Sequence, residues 1–160
     1  MRININNISN KKPFVAQGEI AAQDLVEYFD DADECAVLSP IQYDAKLLAH
    51  AKFIDLDADI RANLELTCHR CGKRFERELE LHTVLKLIDA GSVGDADEIV
   101  LEEDDLDTVT YQDDTIDLDA ILLETVYLEI DGECICSDDC KGICIACGKN
   151  LNLGPCGCNK

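Results

Sequence analysis

Hydrophobic and polar positions alternate most regularly between residues 58 and 88. Ile60, Ala62, Leu64 and Leu66 are separated by polar residues, and after a short cysteine-containing segment apolar residues again alternate with glutamates. A period of two is typical of strands with one buried and one exposed face. The pattern therefore predicts two antiparallel strands joined by a turn at residues 68–72. The buried face of the second strand is predicted to contain Phe75, Leu79, Leu81, Leu85 and Leu87.

The first 50 residues carry weaker patterns. Ile3 and Ile5 alternate with asparagine, as in an edge strand. Residues 35–38 predict a further short strand, and residues 23–33 between these two segments are either helical or a loop. This part of the chain adds strands to the predicted sheet without fixing their order.

A helical pattern begins at Asp117. Apolar residues recur at three- and four-residue spacing up to Ile130, Asp117 is a suitable N-cap, and Asp131-Gly132 is a suitable end. The acidic segment 98–112 before it predicts one or two edge strands. Residues 1–130 are therefore predicted to form an α+β domain with a mainly antiparallel sheet, a C-terminal helix and a Cys-x-x-Cys knuckle.

Residues 131–160 have a different composition. Seven of the 25 residues from Cys134 to Cys158 are cysteine, and few are large and apolar. Such a segment cannot bury enough surface to fold alone, and a bound metal is a common remedy. We therefore predict a cysteine-rich, metal-stapled tail that packs on the first domain.

Two segments share the pattern Cys-x-x-Cys-Gly-Lys, at residues 68–73 and 144–149. Two residues between cysteines allow one tight turn to direct both sulfurs at one ion, and glycine permits a positive φ after the second cysteine. Each such knuckle supplies half of a four-thiolate site. The other halves are predicted at Cys136 with Cys140 and at Cys156 with Cys158.

Two pairings use all eight cysteines. In the preferred pairing, Cys68, Cys71, Cys136 and Cys140 join the tail to the sheet, and Cys144, Cys147, Cys156 and Cys158 close a local site in the tail. In the alternative, the two knuckles share one ion, as in ordinary zinc ribbons. Cys35 and Cys134 remain outside both, and Cys35 is predicted to be a buried small hydrophobic residue.

The chain has no recognisable signal peptide and no apolar run long enough for a membrane span, so a cytoplasmic location is expected, with no membrane partner. In a reducing compartment, ten cysteines indicate metal binding rather than disulfides. Roughly two zinc ions per chain are predicted, held only by thiolates. Iron in a rubredoxin-like centre ranks below zinc because nothing else in the chain suggests electron transfer.

The formal net charge is −20 and is unevenly distributed. Residues 89–139 contain 19 acidic residues and no Lys or Arg, so this segment is expected to attract a basic protein and to repel nucleic acid. The predicted contact residues for that partner are Glu102, Glu103, Asp104 and Asp105. The bases cluster at the knuckles, where they either contact RNA or offset the negative charge of metal-bound thiolates. The candidate RNA contacts are Arg70, Lys73, Arg74 and Arg77.

Catalytic patterns are otherwise lacking in the sequence. His50, His69 and His82 have no recognisable nucleophilic partner, and no phosphate loop or dinucleotide-binding fingerprint is present. Four thiolates around one ion leave no open coordination position. We therefore expect a protein that is not an enzyme.

The cysteine motifs resemble those of the YceD family. The tail segment from Cys136 to Asn152, the final Cys156-Gly-Cys158 and the knuckle at residues 68–71 are similar to that family's pattern, although Ile145 stands where the family often has proline. The resemblance implies a bacterial or organellar protein needed for accumulation of large-subunit ribosomal RNA, and it brings no catalytic residues. The partners it implies are a basic ribosomal protein or a pre-ribosomal large-subunit particle.

Overall fold

Eight strands and two helices are defined in the residues that the computed structural model describes, namely 1–26, 35–92, 108–132 and 134–158. The same residues contain three short 3-10 turns, at Ile5–Asn7, Ala90–Ser92 and Leu151–Leu153. The strands are β1 (Arg2–Asn4), β2 (Phe14–Ile20), β3 (Cys35–Val37), β4 (Ile41–Ala49), β5 (Ile54–Thr67), β6 (Arg74–Asp89), β7 (Thr108–Tyr111) and β8 (Thr115–Asp117). The helices are α1 (Ala22–Val26) and α2 (Leu118–Gly132).

The long strands β5 and β6 form the centre of the sheet. They pair antiparallel from Ile54 opposite Leu87 to Thr67 opposite Arg74. Every second residue of β5 is buried, and the residues between them are exposed or half-buried. The strand pair predicted from the two-residue period is therefore confirmed, and the turn that joins the strands carries the first knuckle.

The other strands of the main sheet extend on both sides of this pair. β4 lies along the first half of β5, β2 lies outside β4, and β3 pairs with the second half of β5. β7 pairs with the end of β6 in parallel, from Lys86 opposite Thr108. Parallel neighbours need a long crossover connection, and the chain between β6 and β7 is long enough for one. The sheet is thus mainly antiparallel, as predicted, with one parallel edge strand.

The N-terminal strand belongs to a second, small sheet. β1 pairs antiparallel with β8, with Ile3 opposite Ile116, and both of these side chains are buried. Ile5 does not continue the strand as predicted, because the chain enters a 3-10 turn there, capped by the side chain of Asn4. This small sheet leads directly into α2.

Helix α2 covers the buried face of the sheet. The Asp117 carboxylate accepts a hydrogen bond from the Ala120 N–H at 3.5 Å, as expected of an N-cap, and the helix ends at Gly132. Its apolar residues join those of the sheet in one continuous core. The fully buried members on the helix include Leu118, Leu122 and Val126.

Several predictions lie outside the described residues. The predicted helix or loop at residues 23–33 is described only as far as Val26, and the predicted edge strands at 98–112 are described only from Thr108. The division of the chain into a domain at 1–130 and a tail at 131–160 stays a prediction.

Candidate metal centres

The two knuckles have the same backbone geometry. In the first, the Gly72 N–H donates to the Cys68 carbonyl at 2.8 Å, and Gly72 has a φ of 67°. In the second, the Gly148 N–H donates to the Cys144 carbonyl at 2.8 Å, and Gly148 has a φ of 70°. The positive φ that the sequence motif requires is therefore present at both glycines.

Each knuckle lies beside a second pair of cysteines. Cys68 and Cys71 lie with Cys136 and Cys140, and within this group, which we call the proximal centre, all sulfur atoms are within 4.8 Å of one another. Cys144 and Cys147 lie with Cys156 and Cys158 under the same limit, and we call this group the distal centre. In the described residues the sulfurs group as in the preferred pairing, and ligation of one ion by each group stays a prediction.

The sulfur spacing of the proximal centre fits one metal ion. The Sγ atoms of Cys68 and Cys140 are 3.8 Å apart, as are those of Cys71 and Cys136. A tetrahedron with metal–sulfur bonds of about 2.3 Å has edges of about 3.8 Å. In the distal centre, the Sγ atoms of Cys144 and Cys156 are 3.4 Å apart. Both groups could therefore hold a metal ion.

The two centres differ in burial. In the proximal centre, Cys68, Cys71 and Cys140 are buried and only Cys136 is half-buried. In the distal centre, Cys147 and Cys158 are exposed, while the other two cysteines are half-buried. The proximal sulfurs lie against the end of the sheet, packed with Phe75 and Ile135. The distal centre is open to solvent at Cys147 and Cys158.

The first cysteine of each knuckle is easily ionised. Burial raises the pKa of Cys68, but neighbouring backbone N–H groups, that of Cys136 foremost, oppose it and lower the pKa to about 6. The backbone N–H groups of Ala146 and Cys147 lower the pKa of Cys144 to about 6 as well. Metals bind the thiolate form, so each knuckle presents one ligand in the state that binding requires.

Two cysteines of the proximal centre have pKa values shifted in opposite directions. Burial and hydrogen bonding to the other thiols raise the pKa of Cys136 to about 12. At Cys140 the direction is opposite, because the side-chain amide of Asn152 donates to its sulfur at 3.4 Å and lowers its pKa. A cation bound by these sulfurs would neutralise the charge of the thiolates.

Two asparagines connect the centres, and the cysteine and histidine patterns of the sequence do not point to them. Besides bonding Cys140, the Asn152 side chain accepts from the Lys141 N–H at 2.8 Å. The Asn150 side chain donates to the Cys71 carbonyl at 3.4 Å and accepts from the Asn152 N–H at 2.9 Å. Their positions just after the second knuckle, in Asn-Leu-Asn, were the available signal.

Gly142 allows the tail to approach the first knuckle closely. Its φ is 69°, and a Cβ added there would lie 3.1 Å from the Arg70 carbonyl oxygen. Next to it the Leu151 N–H donates to the Gly142 carbonyl at 2.9 Å. Only glycine satisfies both the backbone conformation and the contact without strain.

Cys35 and Cys134 belong to the hydrophobic core rather than to either centre. Both are buried, and the Cys134 thiol donates to the Thr67 carbonyl at 3.3 Å. Burial raises the pKa of Cys35 to about 11, and the nearby Cys134 contributes in the same direction. The prediction that Cys35 is a buried small residue is confirmed.

The candidate RNA contacts divide into two pairs. Arg70 and Lys73 are exposed on the first knuckle, and neither forms an ion pair with another residue of the described ranges. Arg74 lies 3.0 Å from the Glu65 carboxylate and Arg77 lies 3.9 Å from that of Glu129. His69 is exposed, and its backbone N–H donates to the Cys134 carbonyl at 2.9 Å. The structure thus leaves two of the four bases with no carboxylate partner in the described residues.

The candidate acidic contacts Glu102, Glu103, Asp104 and Asp105 lie outside the described residues. Of the acidic residues of the same base-free segment whose burial is described, Asp117 and Asp119 are half-buried and the others are exposed, namely Asp89, Asp113, Asp114, Glu124, Glu129, Asp138 and Asp139. In the described part of the chain, no helix is long and apolar enough to cross a membrane.

Comparison with known families gives one match. The family model "Large ribosomal RNA subunit accumulation protein YceD" matches residues 56–160, more than half of the chain, including both candidate centres. No solved structure matches the chain.

Two plant proteins are similar to this chain over different shares of its length. Both are named large ribosomal RNA subunit accumulation protein YCED homolog 1, chloroplastic. The protein from Arabidopsis thaliana is 27% identical over 173 residues, covering 94% of this chain and 51% of the relative. The protein from Zea mays is 25% identical over 127 residues, covering 61% of this chain and 41% of the relative. The chain thus spans about half the length of these relatives, and a cytoplasmic location stays a prediction.

Proposed function

Because the chain belongs to the YceD family of large ribosomal RNA subunit accumulation proteins, we propose that it acts in large-subunit biogenesis as a zinc-binding factor without catalytic activity. Its direct partner is a basic ribosomal protein or a pre-ribosomal large-subunit particle. The two relatives carry a name that refers to large-subunit RNA accumulation, which supports the same process for this chain.

Zinc in both centres is supported by the donor set and its spacing. Eight thiols form two groups of four, and the 3.8 Å separations in the proximal centre suit a tetrahedral ion. A four-thiolate centre is closed, so the metal has a structural role and no substrate coordinates it. Rubredoxin-like iron is the competing occupant of the same donors, and visible absorption of the purified protein distinguishes the two metals.

The observation that carries the partner proposal is the separation of charge. Residues 89–139 contain 19 carboxylates and no base, whereas the knuckles and the end of the tail carry lysine and arginine with few acids. Exposed carboxylates steer cationic partners and repel phosphate over distances of about one Debye length, about 8 Å at physiological salt. A basic ribosomal protein has the required charge. Glu102, Glu103, Asp104 and Asp105 form the densest acidic run and are the proposed contacts.

Direct RNA binding is the second candidate, and Arg70 and Lys73 favour it. Both are exposed at the tip of the first knuckle without a carboxylate partner in the described residues. A competing role exists for these bases, because a four-thiolate zinc centre carries a charge of about −2 that nearby cations stabilise. The two roles predict different outcomes when the bases are removed, since only RNA contact makes particle association depend on them.

Co-purification with ribosomal components tests both candidates. We expect substitution of the four proposed acidic contacts by Gln or Asn to reduce association with a basic ribosomal protein and to remove most of its salt dependence. The matched control replaces Glu19, Glu76, Glu78 and Glu80 by Gln, which removes the same charge from exposed positions of β2 and β6.

A different result of the same experiment would favour RNA as the direct partner. If the acidic variant associates normally while Arg70→Gln with Lys73→Gln abolishes association with large-subunit particles, the partner is RNA. Protein and RNA in the co-purified material are measured separately, and zinc content is measured on each variant to exclude loss of the centres.

A further inference from the structure

The distal centre presents an exposed apolar surface. Ile145 is fully exposed (102%), Leu153 is 82% exposed and Ile143 is 49% exposed. In the described part of the chain, eight large hydrophobic side chains are exposed, and three of them lie in this loop of 11 residues. The other five lie at separate places in the chain, at the N-terminus (Met1), on β2 (Val15), between β3 and β4 (Leu38), on β6 (Val84) and on α2 (Leu128). Clustered exposed apolar residues mark interaction sites, whereas single ones are normal on any surface.

Two of these side chains, those of Ile143 and Ile145, line a cavity of about 670 Å³, and Leu153 follows its lining residue Leu151 closely in the chain. Its wall is formed by Ile143, Ile145, Ala146, Leu151 and Pro155, together with three of the distal cysteines. A volume of this size accommodates several side chains or a short peptide segment. The cysteines in the wall make the shape of the cavity depend on the metal in the distal centre.

The chain segment that forms the cavity and the residues just before it carry positive charge. Lys141 and Lys149 are exposed, and no acidic residue occurs between Cys140 and Cys158. The Lys149 ammonium donates to the Pro155 carbonyl at 2.9 Å, so this charge is held at the rim of the cavity. The rest of the molecule is strongly acidic, which makes this end of the chain distinct in both polarity and sign of charge.

We propose that this distal surface binds a segment of a partner protein in which a large apolar side chain is flanked by carboxylates. The apolar side chain enters the cavity, and the carboxylates meet Lys141 and Lys149. The inference goes beyond the proposed function by adding a second partner surface, and it rests on that function only in requiring a folded distal centre. The acidic segment and this surface would allow the chain to hold two partners at once.

Two other occupants fit less well. Single-stranded RNA is recognised by stacking of bases on aromatic or arginine side chains, and residues 134–158 contain neither. A second copy of the chain carries the same net charge of −20, so two copies repel each other. The surface is also confined to one loop, while a stable dimer buries about 800 Å² on each partner.

Methyl chemical shifts of the zinc-loaded full chain provide the test. The probe is a short peptide with phenylalanine and leucine between glutamates, compared with one in which both apolar residues are alanine and one in which lysines replace the glutamates. We expect saturable shifts of the Ile145 and Leu153 methyl signals with the first peptide. The affinity for the lysine peptide should be lower by a factor of about ten or more, and the alanine peptide should not bind. Lys141→Gln is expected to weaken binding of the first peptide only.

Two double variants distinguish binding at the distal surface from nonspecific binding to exposed apolar side chains. Ile145→Ser with Leu153→Ser should abolish binding, whereas Val15→Ser with Leu128→Ser removes two exposed apolar side chains elsewhere and should leave it unchanged. Equal loss in both pairs, equal binding of the acidic and lysine peptides, absence of methyl shifts, or stronger shifts with oligouridine RNA would each overturn the inference. The peptide titration decides the inference, and metal content measured on the same samples decides the proposed zinc centres separately.

Discussion

The proximal and distal centres share one knuckle design but have different surroundings. The proximal centre joins the β5–β6 turn to the start of the tail, and three of its four cysteines are buried. The distal centre gathers four cysteines from within residues 144–158, and two of them are exposed. The local backbone geometry of the two knuckles is the same, including the glycine with positive φ.

From this comparison we expect that sequence separation, rather than the knuckle itself, sets the consequence of metal binding. Closing a link between Cys71 and Cys136 constrains a long stretch of chain, whereas closing one between Cys147 and Cys156 constrains only a short loop. Burial adds to the difference. Without a metal, the proximal thiols lie buried among apolar side chains at the end of the sheet, where polar groups that lack a partner are costly. The proximal metal is expected to stabilise the fold, and the distal metal to shape a surface.

Removal of one ligand from each centre should therefore have unequal effects. We expect Cys71→Ser to lower the free energy of unfolding by about 3 kcal/mol or more, since it removes a metal that joins distant parts of the chain. Cys156→Ser should leave β5 and β6 as stable as before and disorder only the tail loop. Thermal unfolding by circular dichroism gives the stability, and amide hydrogen exchange gives its location.

The exchange pattern of the proximal variant carries the sharper result. If Cys71→Ser leaves residues 136–140 as protected as in the unsubstituted protein, the two halves of the proximal centre do not share an ion. The knuckle would then have another partner.

Chelation should remove the two metals in sequence. We expect the distal ion to be lost first, because Cys147 and Cys158 are exposed and the chelator can reach them directly. Release followed with a metallochromic indicator should show two phases, and Cys156→Ser should lack the fast one. A single phase for the unsubstituted protein, or a fast phase that persists in Cys156→Ser, would contradict the assignment.

Glycine substitutions test how closely the tail is fitted to the first knuckle. Gly142→Ala combines a φ of 69° with a contact of 3.1 Å to the Arg70 carbonyl, so we expect a loss of about 1–3 kcal/mol. Gly148→Ala has a similar φ but no atom within 4 Å, and only the conformational cost of about 1 kcal/mol applies. Denaturant unfolding measures both, and equal losses would show that the close approach to Arg70 contributes nothing.

Cys35 represents a third environment, the apolar core, and its titration provides the smallest effect. Burial holds its thiol neutral with a pKa raised from 9.0 to about 11. The stability due to the neutral thiol is present below pH 9 and is lost as pH rises toward 11, because the unfolded chain ionises first. Unfolding of the Cys35→Ala variant should be less sensitive to pH in this range, and an unchanged pH dependence would show that Cys35 is not the titrating group.

The predictable parts of the molecule were those governed by local pattern. The two-residue period identified β5 and β6, and the N-cap at Asp117 with helical spacing identified α2, because burial of one face imposes both patterns. The knuckles were predictable because two residues between the cysteines allow one tight turn to direct both sulfurs at the same point.

The unpredictable parts depend on contacts between distant segments. Pairing of β1 with β8 and the parallel position of β7 are set by packing against α2 and β6, and short strands carry no periodic signal for their partners. The cysteine pairing was open for the same reason, since Asn150 and Asn152, which bring the tail to Cys71 and Cys140, are ordinary polar residues in the sequence. The preference for one pairing rested only on the short sequence separation between Cys144 and Cys158, which allows these cysteines to form a local site.

Native mass spectrometry of the purified chain and its single-cysteine variants tests the two-centre account most directly. The account predicts two zinc ions per chain, one in Cys156→Ser with the fold intact, and one in Cys71→Ser with the distal ion retained. Protein purified under reducing conditions that carries no metal, that carries iron, or that loses both ions in Cys156→Ser would contradict it.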